Sequence, residues 1–270
     1  MGTFKYIIAA FLLVALCAGV VVTGCSSDTA QETTTLMVYS GAGMQEPMDE
    51  IAVMFEEEYG IDVVYNYAGS NALLSQMELT EEGDVYMPGE TYYLEVAEDK
   101  GFIDYKQLVA YHIPVITVPA GNPANISCIE DLANEGVEVA WGDPEAAAIG
   151  RLANKILEKN NLYDEVWENI IVTVPTMNEL IVYIAMGQAD ASINWGDVVY
   201  ENEDIEVVDI PKEQNLIKII PIGTLVFSEE PEAAELFVDF CASDEAKAVF
   251  ESYDFPRYPN EEYGEYTEGE

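Results

Sequence analysis

From residue 36 onward, short apolar runs alternate with stretches whose apolar residues recur at helical spacing, and the whole alternation occurs twice. Residues 36–39 read as a strand. Residues 46–58 read as a helix in which Met48, Ile51, Ala52, Phe55 and the following Tyr59 share one face. Pro47 suits the first helical turn, and Gly60 suits the stop. Strands at 62–68 and 84–87 and helices at 72–79 and 91–100 continue the pattern. This βαβαβα order implies a mostly parallel sheet with helices on both faces.

A long extended run at 109–118 ends the first unit, and the pattern then restarts. A short helix at 129–134, a strand at 137–141 and a loop at 142–150 follow. The next helix buries Ile149, Leu152, Ala153, Ile156 and Leu157. Strands at 171–174 and 191–195 flank a helix at 177–186, and 205–210 and 219–227 are further extended runs. Helices at 231–241 and 244–253 close the fold. Two such α/β units joined by extended crossings imply two lobes with a cleft between them. The expected divisions are lobe 1 at 36–115 and 216–256, lobe 2 at 116–215, and a mobile acidic tail at 257–270.

The N-terminus reads differently. Lys5 precedes an uncharged run at 6–22, and 22-VTGC-25 leads into a polar stretch. A basic start, an apolar middle and small residues before a cut describe a secretory signal over 1–24. The VTGC ending resembles the signal of lipoproteins, in which Cys25 is lipidated. An uncleaved membrane anchor is the alternative, since the run is about long enough to span a bilayer. Either way the body lies outside the cytoplasm, behind a flexible stalk at 25–35.

The formal net charge of −41, from 51 acidic and 10 basic residues, disfavours nucleic acid or an anionic membrane as a partner. It describes a strongly solvated surface suited to high salt. Beyond Cys17 and Cys25 only Cys128 and Cys241 remain, without metal spacing, as two free thiols or one disulfide. The single histidine, His112, argues against a His-based zinc site and a Ser-His-Asp triad, and a structural role is expected of it.

Ligands of open α/β sheets bind beyond the carboxyl ends of strands. The loops there are 40–44, 69–71, 87–90, 142–150, 175–178 and 195–197, most of them rich in small residues. A helix start offers free N–H groups and the positive end of the dipole, so several in one cleft could hold an anion without Lys or Arg. Ser40, Ser70 and Asn71 add neutral donors, Trp195 adds an indole N–H, and Arg151 follows the 142–150 loop. Asp84, Glu90, Asp143, Glu145 and Asp197 also sit near strand ends, but their spacing selects no acid/base or cation-binding pair.

Four stretches, 38-VYSGAGMQEPMDEIAVMFEEEYGIDV-63, 67-YAGSNALLSQME-78, 83-GDVYMPG-89 and 141-WGDPEAAAIGRLA-153, together resemble the substrate-binding proteins of molybdate and related oxyanion ABC transporters. The spacing of 185–197 and of 236–255 agrees. The resemblance implies a type II two-lobed periplasmic-binding-protein fold. Each lobe is then a mixed, mostly parallel sheet flanked by helices, with the ligand in the inter-lobe cleft. It implies no catalysis, no cofactor and no metal ion beyond the oxyanion itself. It also implies a monomer that delivers molybdate, tungstate or another tetrahedral anion to an ABC permease, held at the membrane's outer face through Cys25.

By position, Ser70 matches the family's second serine, and Ile149 and Met177 match its backbone contacts. Gly43 stands at the first serine, with Ser40 offset from it, and Trp195 stands at the tyrosine. The implied ligand set is Ser40, Ala42, Gly43, Met44, Gly69, Ser70, Asn71, Ile149, Met177 and Trp195. Sulfate, another anion or a cation is the alternative ligand. An enzyme on the same scaffold is the alternative class.

Overall fold

A computed structural model describes residues 34–199 and 202–264. The expected signal, Cys25, most of the stalk and residues 265–270 lie outside the described residues. In chain order the elements begin with β1 (Thr35–Gly41), α1 (Gln45–Tyr59), β2 (Asp62–Ala68), α2 (Ser70–Thr80), β3 (Val85–Met87) and α3 (Thr91–Asp99). Next come β4 (Ile103–His112), β5 (Pro114–Pro119), β6 (Val139–Gly142), α4 (Ala148–Lys159), α5 (Tyr163–Asn169) and β7 (Ile170–Val174). Then follow α6 (Met177–Ala185), β8 (Ser192–Trp195), β9 (Ile205–Asp209), β10 (Lys218–Leu225), α7 (Pro231–Cys241) and α8 (Asp244–Ser252).

The first sheet has the order β2-β1-β3-β10-β4. β1 runs parallel to β2 and β3, while β10 pairs antiparallel with β3 and β4. Period-two alternation sends Leu36 and Val38 to one face and Tyr39 to the other. The first face is covered by α1, α7 and α8, where Phe55 meets Phe237 edge-on at 5.0 Å between ring centroids. The second is covered by α2 and α3 through Leu73, Met77 and Leu94.

The chain leaves this sheet at Ile113. The extended run expected at 109–118 is therefore two strands, β4 and β5, that belong to different sheets. Pro114 explains the break, since proline restricts the residue before it and carries no N–H for the ladder. The second lobe combines an antiparallel β8-β5-β9 sheet with a parallel β6-β7 pair, and a Val139–Ala191 bridge sets β6 beside β8. Its core holds Ile149, Leu152, Ala153, Ile156 and Leu157 of α4, the face that helical spacing marked. Helix α5 escaped the periodicity reading because Val166 is its one fully buried side chain.

Some expectations are resolved or corrected. Cys128 and Cys241 are free thiols, and complete burial pushes the Cys241 thiol well above its ordinary range. The acidic tail from 257 makes hydrogen bonds to the body as far as Tyr263. The Tyr258 N–H donates to the Val109 carbonyl at 3.0 Å, and the Lys247 ammonium donates to the Tyr258 carbonyl at 2.6 Å. The Lys212 ammonium donates to the Tyr263 carbonyl at 2.9 Å.

Ser243 caps the start of α8, its hydroxyl oxygen accepting the Ala246 N–H at 3.2 Å. Ser243→Ala should therefore lower stability by about 1 kcal/mol. Chemical denaturation should show a lower midpoint at unchanged slope.

Candidate functional site

Helix starts converge on the cleft because each follows directly on a strand. β1 runs into a single 3-10 turn, Ala42–Met44, and then α1. Gly69 alone separates β2 from α2. The 142–150 loop joins β6 to α4, and a two-residue turn joins β7 to α6. The amides of Ser70 and Asn71, of Ala148 and Ile149, and of Met177 and Asn178 find no protein acceptor among the described residues. They are the orphan donors that every helix start leaves.

Two glycines fix this arrangement. A Cβ at Gly150 would lie 2.1 Å from the Gly142 carbonyl oxygen and 2.5 Å from its carbon, so only glycine lets α4 rest against the end of β6. At Gly41 a Cβ would come within 3.0 Å of the Met44 methyl. Gly43 is different, because a Cβ there would meet only Asp197 Oδ2, at an ordinary 3.6 Å. Space does not dictate glycine at that position.

The helix starts enclose a cavity of about 160 Å³, with Ala42, Gly43, Gly69, Ser70, Ala148 and Met177 in its wall. A cavity of this size admits a small ligand. The Ser70 hydroxyl oxygen accepts the Gly89 N–H at 3.1 Å, which leaves its own hydrogen for a ligand. The Tyr86 hydroxyl donates to the Ser70 carbonyl at 2.9 Å and fixes this first turn of α2.

His112 and Trp195 form the floor, their rings stacked at 3.7 Å and 17°. His112 Nδ1 lies 3.0 Å from the Gly89 carbonyl, which can only accept, so this nitrogen carries a hydrogen. Nε2 lies 3.0 Å from Asp197 Oδ1 in a pair whose side chains are less than a tenth exposed. Across the cavity, Glu90 stands 3.5 Å from the Arg151 guanidinium, which donates to the Tyr93 hydroxyl at 3.0 Å. That hydrogen bond, with Glu90 nearby, holds Arg151 firmly protonated. Each carboxylate of the wall thus faces a basic side chain.

The expected site residues separate into groups. Ala42, Gly43, Gly69, Ser70, Met177 and Trp195 line the cavity together. Met44 and Ile149 are buried beneath its wall, and Asn71 faces a neighbouring cavity. Ser40 is wholly buried within β1, and its hydroxyl has no partner among the described residues. Of the carboxylates at strand ends, Asp84 is a structural anchor that accepts from the Met37 N–H at 2.7 Å and the Ser228 hydroxyl at 2.5 Å. Asp143 accepts the Glu145 N–H within its own loop. Sequence reasoning assigned His112 a purely structural role and left Glu90, Tyr93 and Asp197 without a place. All four line the cavity.

Two α/β lobes around a cleft walled by helix starts define a two-lobed solute-binding protein. The chain belongs to the bacterial extracellular solute-binding protein family, whose model matches residues 36–255. It is 27% identical over 252 residues to a Bacillus subtilis (strain 168) protein named as a candidate ABC-transporter substrate-binding lipoprotein, covering 90% of this chain and 96% of that one. It is 23% identical over 227 residues to the molybdate-binding protein of Escherichia coli (strain K12), covering 82% and 88%. Among solved structures, the substrate-binding domain of a candidate molybdenum ABC transporter from Clostridium difficile superposes with a TM-score of 0.73 at 20% identity, covering 83% of this chain and 99% of that one.

Proposed function

We propose that this protein captures a tetrahedral oxyanion, molybdate or tungstate first among them, outside the cytoplasm and delivers it to a membrane ABC permease. The observation that carries this reading is the convergence of helix starts at Ser70, Ala148 and Met177, with the turn at Ala42 and Gly43, on one small cavity. The Ser70 hydroxyl adds a donor whose hydrogen is uncommitted. Arg151 offsets Glu90, and the helix starts set their dipoles at the cavity, so the anion meets local dipoles as well as the −41 charge of the whole chain. The relatives named for molybdate and molybdenum support the choice of anion.

The geometry favours binding over catalysis. His112 Nδ1 is engaged by the Gly89 carbonyl and Nε2 lies against Asp197, so both ring nitrogens have partners other than Ser70. The VTGC signal and the lipoprotein relative support anchoring through Cys25. The protein acts as a monomer in this reading, with the permease as its partner.

A thermal-shift screen of the chain without residues 1–24 tests this. A ligand at 100 times its Kd stabilises by about 2.7 kcal/mol, which is about 5–10 °C for a domain of this size. Molybdate or tungstate should produce that rise. A melting temperature that no oxyanion moves, and that a divalent cation raises, would refute the reading.

A further inference from the structure

The cavity floor contains a contact that a neutral histidine and an ionised carboxylate cannot make. His112 Nδ1 lies 3.0 Å from the Gly89 carbonyl oxygen, and Nε2 lies 3.0 Å from Asp197 Oδ1. A carbonyl and a carboxylate can only accept, and a neutral imidazole has one hydrogen to donate. The Gly89 carbonyl takes that hydrogen, so the Nε2 contact needs a second proton. This proton makes His112 an imidazolium or Asp197 a carboxylic acid. In either form the pair is neutral, and without the proton it carries one negative charge. The two side chains are only 8% and 7% exposed, so water screens that charge poorly. The Trp195 ring lies flat against the imidazole at 3.7 Å, a face that suits a cationic ring.

The pair faces the ligand cavity directly, since both residues line it with Gly43, Ser70 and Met177. Asp197 Oδ2 lies beside Gly43, 3.6 Å from where a Cβ would stand there. His112 also reaches Ser70 through Gly89, whose N–H donates to the Ser70 hydroxyl oxygen. Other charged groups surround the pair. Glu90 and Tyr93 line the same cavity, with Arg151 against both. Glu46 and Asp49 of α1 share a neighbouring cavity with Asp197 and favour retention of the proton. Lys218 of β10 stands opposite His112 in the strand register and opposes it. The chain beyond α8 adds the Phe255 ring, 5.6 Å from the imidazole.

We infer that His112 and Asp197 hold one exchangeable proton at the anion site, and that this proton determines the affinity for the oxyanion. The inference rests on the oxyanion reading of the cavity. With the proton in place, the anion meets a neutral floor. Once the proton leaves, the wall gains a negative charge and two acceptors face each other across 3.0 Å. Affinity is therefore highest at low pH and falls as pH rises. The coupling is reciprocal, because a bound anion favours the proton as much as the proton favours the anion. Binding thus takes up protons from solution in the range where the pair titrates.

Titration calorimetry with molybdate from about pH 6 to about pH 10 tests the inference, since molybdate stays a dianion across that range. Wild-type affinity should fall by about tenfold or more. In the falling range the heat of binding should vary with the ionisation enthalpy of the buffer, which reports proton uptake. Asp197→Asn removes the charge and should bind at every pH about as tightly as the wild type does at the acid end. His112→Gln cannot take up the proton and leaves Asp197 ionised, so it should bind weakly at every pH. A purely structural pair would weaken in both variants and show no dependence on buffer. Should a variant fail to fold, the wild-type profile and its buffer dependence decide alone. Molybdate binding with a flat profile and buffer-independent heat refutes the coupling and leaves the oxyanion reading standing. A pH dependence that survives in Asp197→Asn also refutes it, because another group then holds the proton. Absence of oxyanion binding at every pH refutes both.

Discussion

Replacing Gly150 by alanine should abolish oxyanion binding and lower the melting temperature by about 2–12 °C. The added Cβ would sit 2.1 Å from the Gly142 carbonyl oxygen, 2.5 Å from its carbon and 3.1 Å from the Asp143 carbonyl carbon. All three atoms are backbone, so no side-chain rotation relieves the overlap. The helix α4 must move away from β6, against a buried face built from Ile149, Leu152, Ala153, Ile156 and Leu157. Overpacking of this kind costs about 1–3 kcal/mol, and each kcal/mol is about 2–4 °C for a domain of this size. Binding suffers separately, because Ala148 lines the cavity only while α4 keeps this position. A site displaced by about 1 Å loses most of its function. Differential scanning calorimetry and anion titration measure the two effects. A variant that melts and binds like the wild type would show that α4 does not set the site.

Ser70→Ala should weaken oxyanion binding by about 10–100-fold while moving the melting temperature of the unliganded protein by only a few degrees. A hydrogen bond to a charged partner contributes about 1.5–3 kcal/mol, and each 1.4 kcal/mol is tenfold in affinity. The same substitution leaves the Gly89 N–H without its acceptor, which is a modest cost at a part-buried position. The Tyr86 hydrogen bond goes to the Ser70 carbonyl, so it survives the change and keeps α2 in place. Titration calorimetry beside a melting curve separates the outcomes. Unchanged affinity would remove the Ser70 hydroxyl from the site. A collapse in melting temperature would make its role structural.

The parts of this molecule that local pattern governs were legible in the sequence. Apolar spacing in α4 named the buried face correctly, because a helix that packs on a core must repeat every three or four residues. The small loops after β1, β2 and β6 were legible as helix starts, since a strand that turns at once into a helix needs small residues there. Ser40 shows a signal that was present and unused. It follows Leu36 and Val38 at intervals of two, so strand alternation carries it to the same inward face.

What escaped was set by pairing over long separations. His112 and Asp197 lie 85 residues apart, and nothing local in either segment announces the other. Their meeting depends on β4 ending beside β8, which follows from the break at Pro114 and the antiparallel pairing of β5 with β8. Arg151 and Glu90 meet in the same way, through two lobes that face each other across the cleft. The Gly43 question is sharpened rather than removed. Space allows a side chain there, and the nearest atom it would meet is the Asp197 carboxylate.

The central claim is that an oxyanion is held between the Ser70 hydroxyl and the amides that begin α4 and α6. A crystal structure with bound tungstate tests it most directly, because tungsten's anomalous scattering fixes the position of the anion independently of the protein atoms. The account predicts one strong peak in the cleft, within hydrogen-bonding reach of Ser70 and of the Ala148 and Met177 region. A peak confined to Arg151 or to the outer surface, with the cavity above His112 and Trp195 left to water, would contradict it.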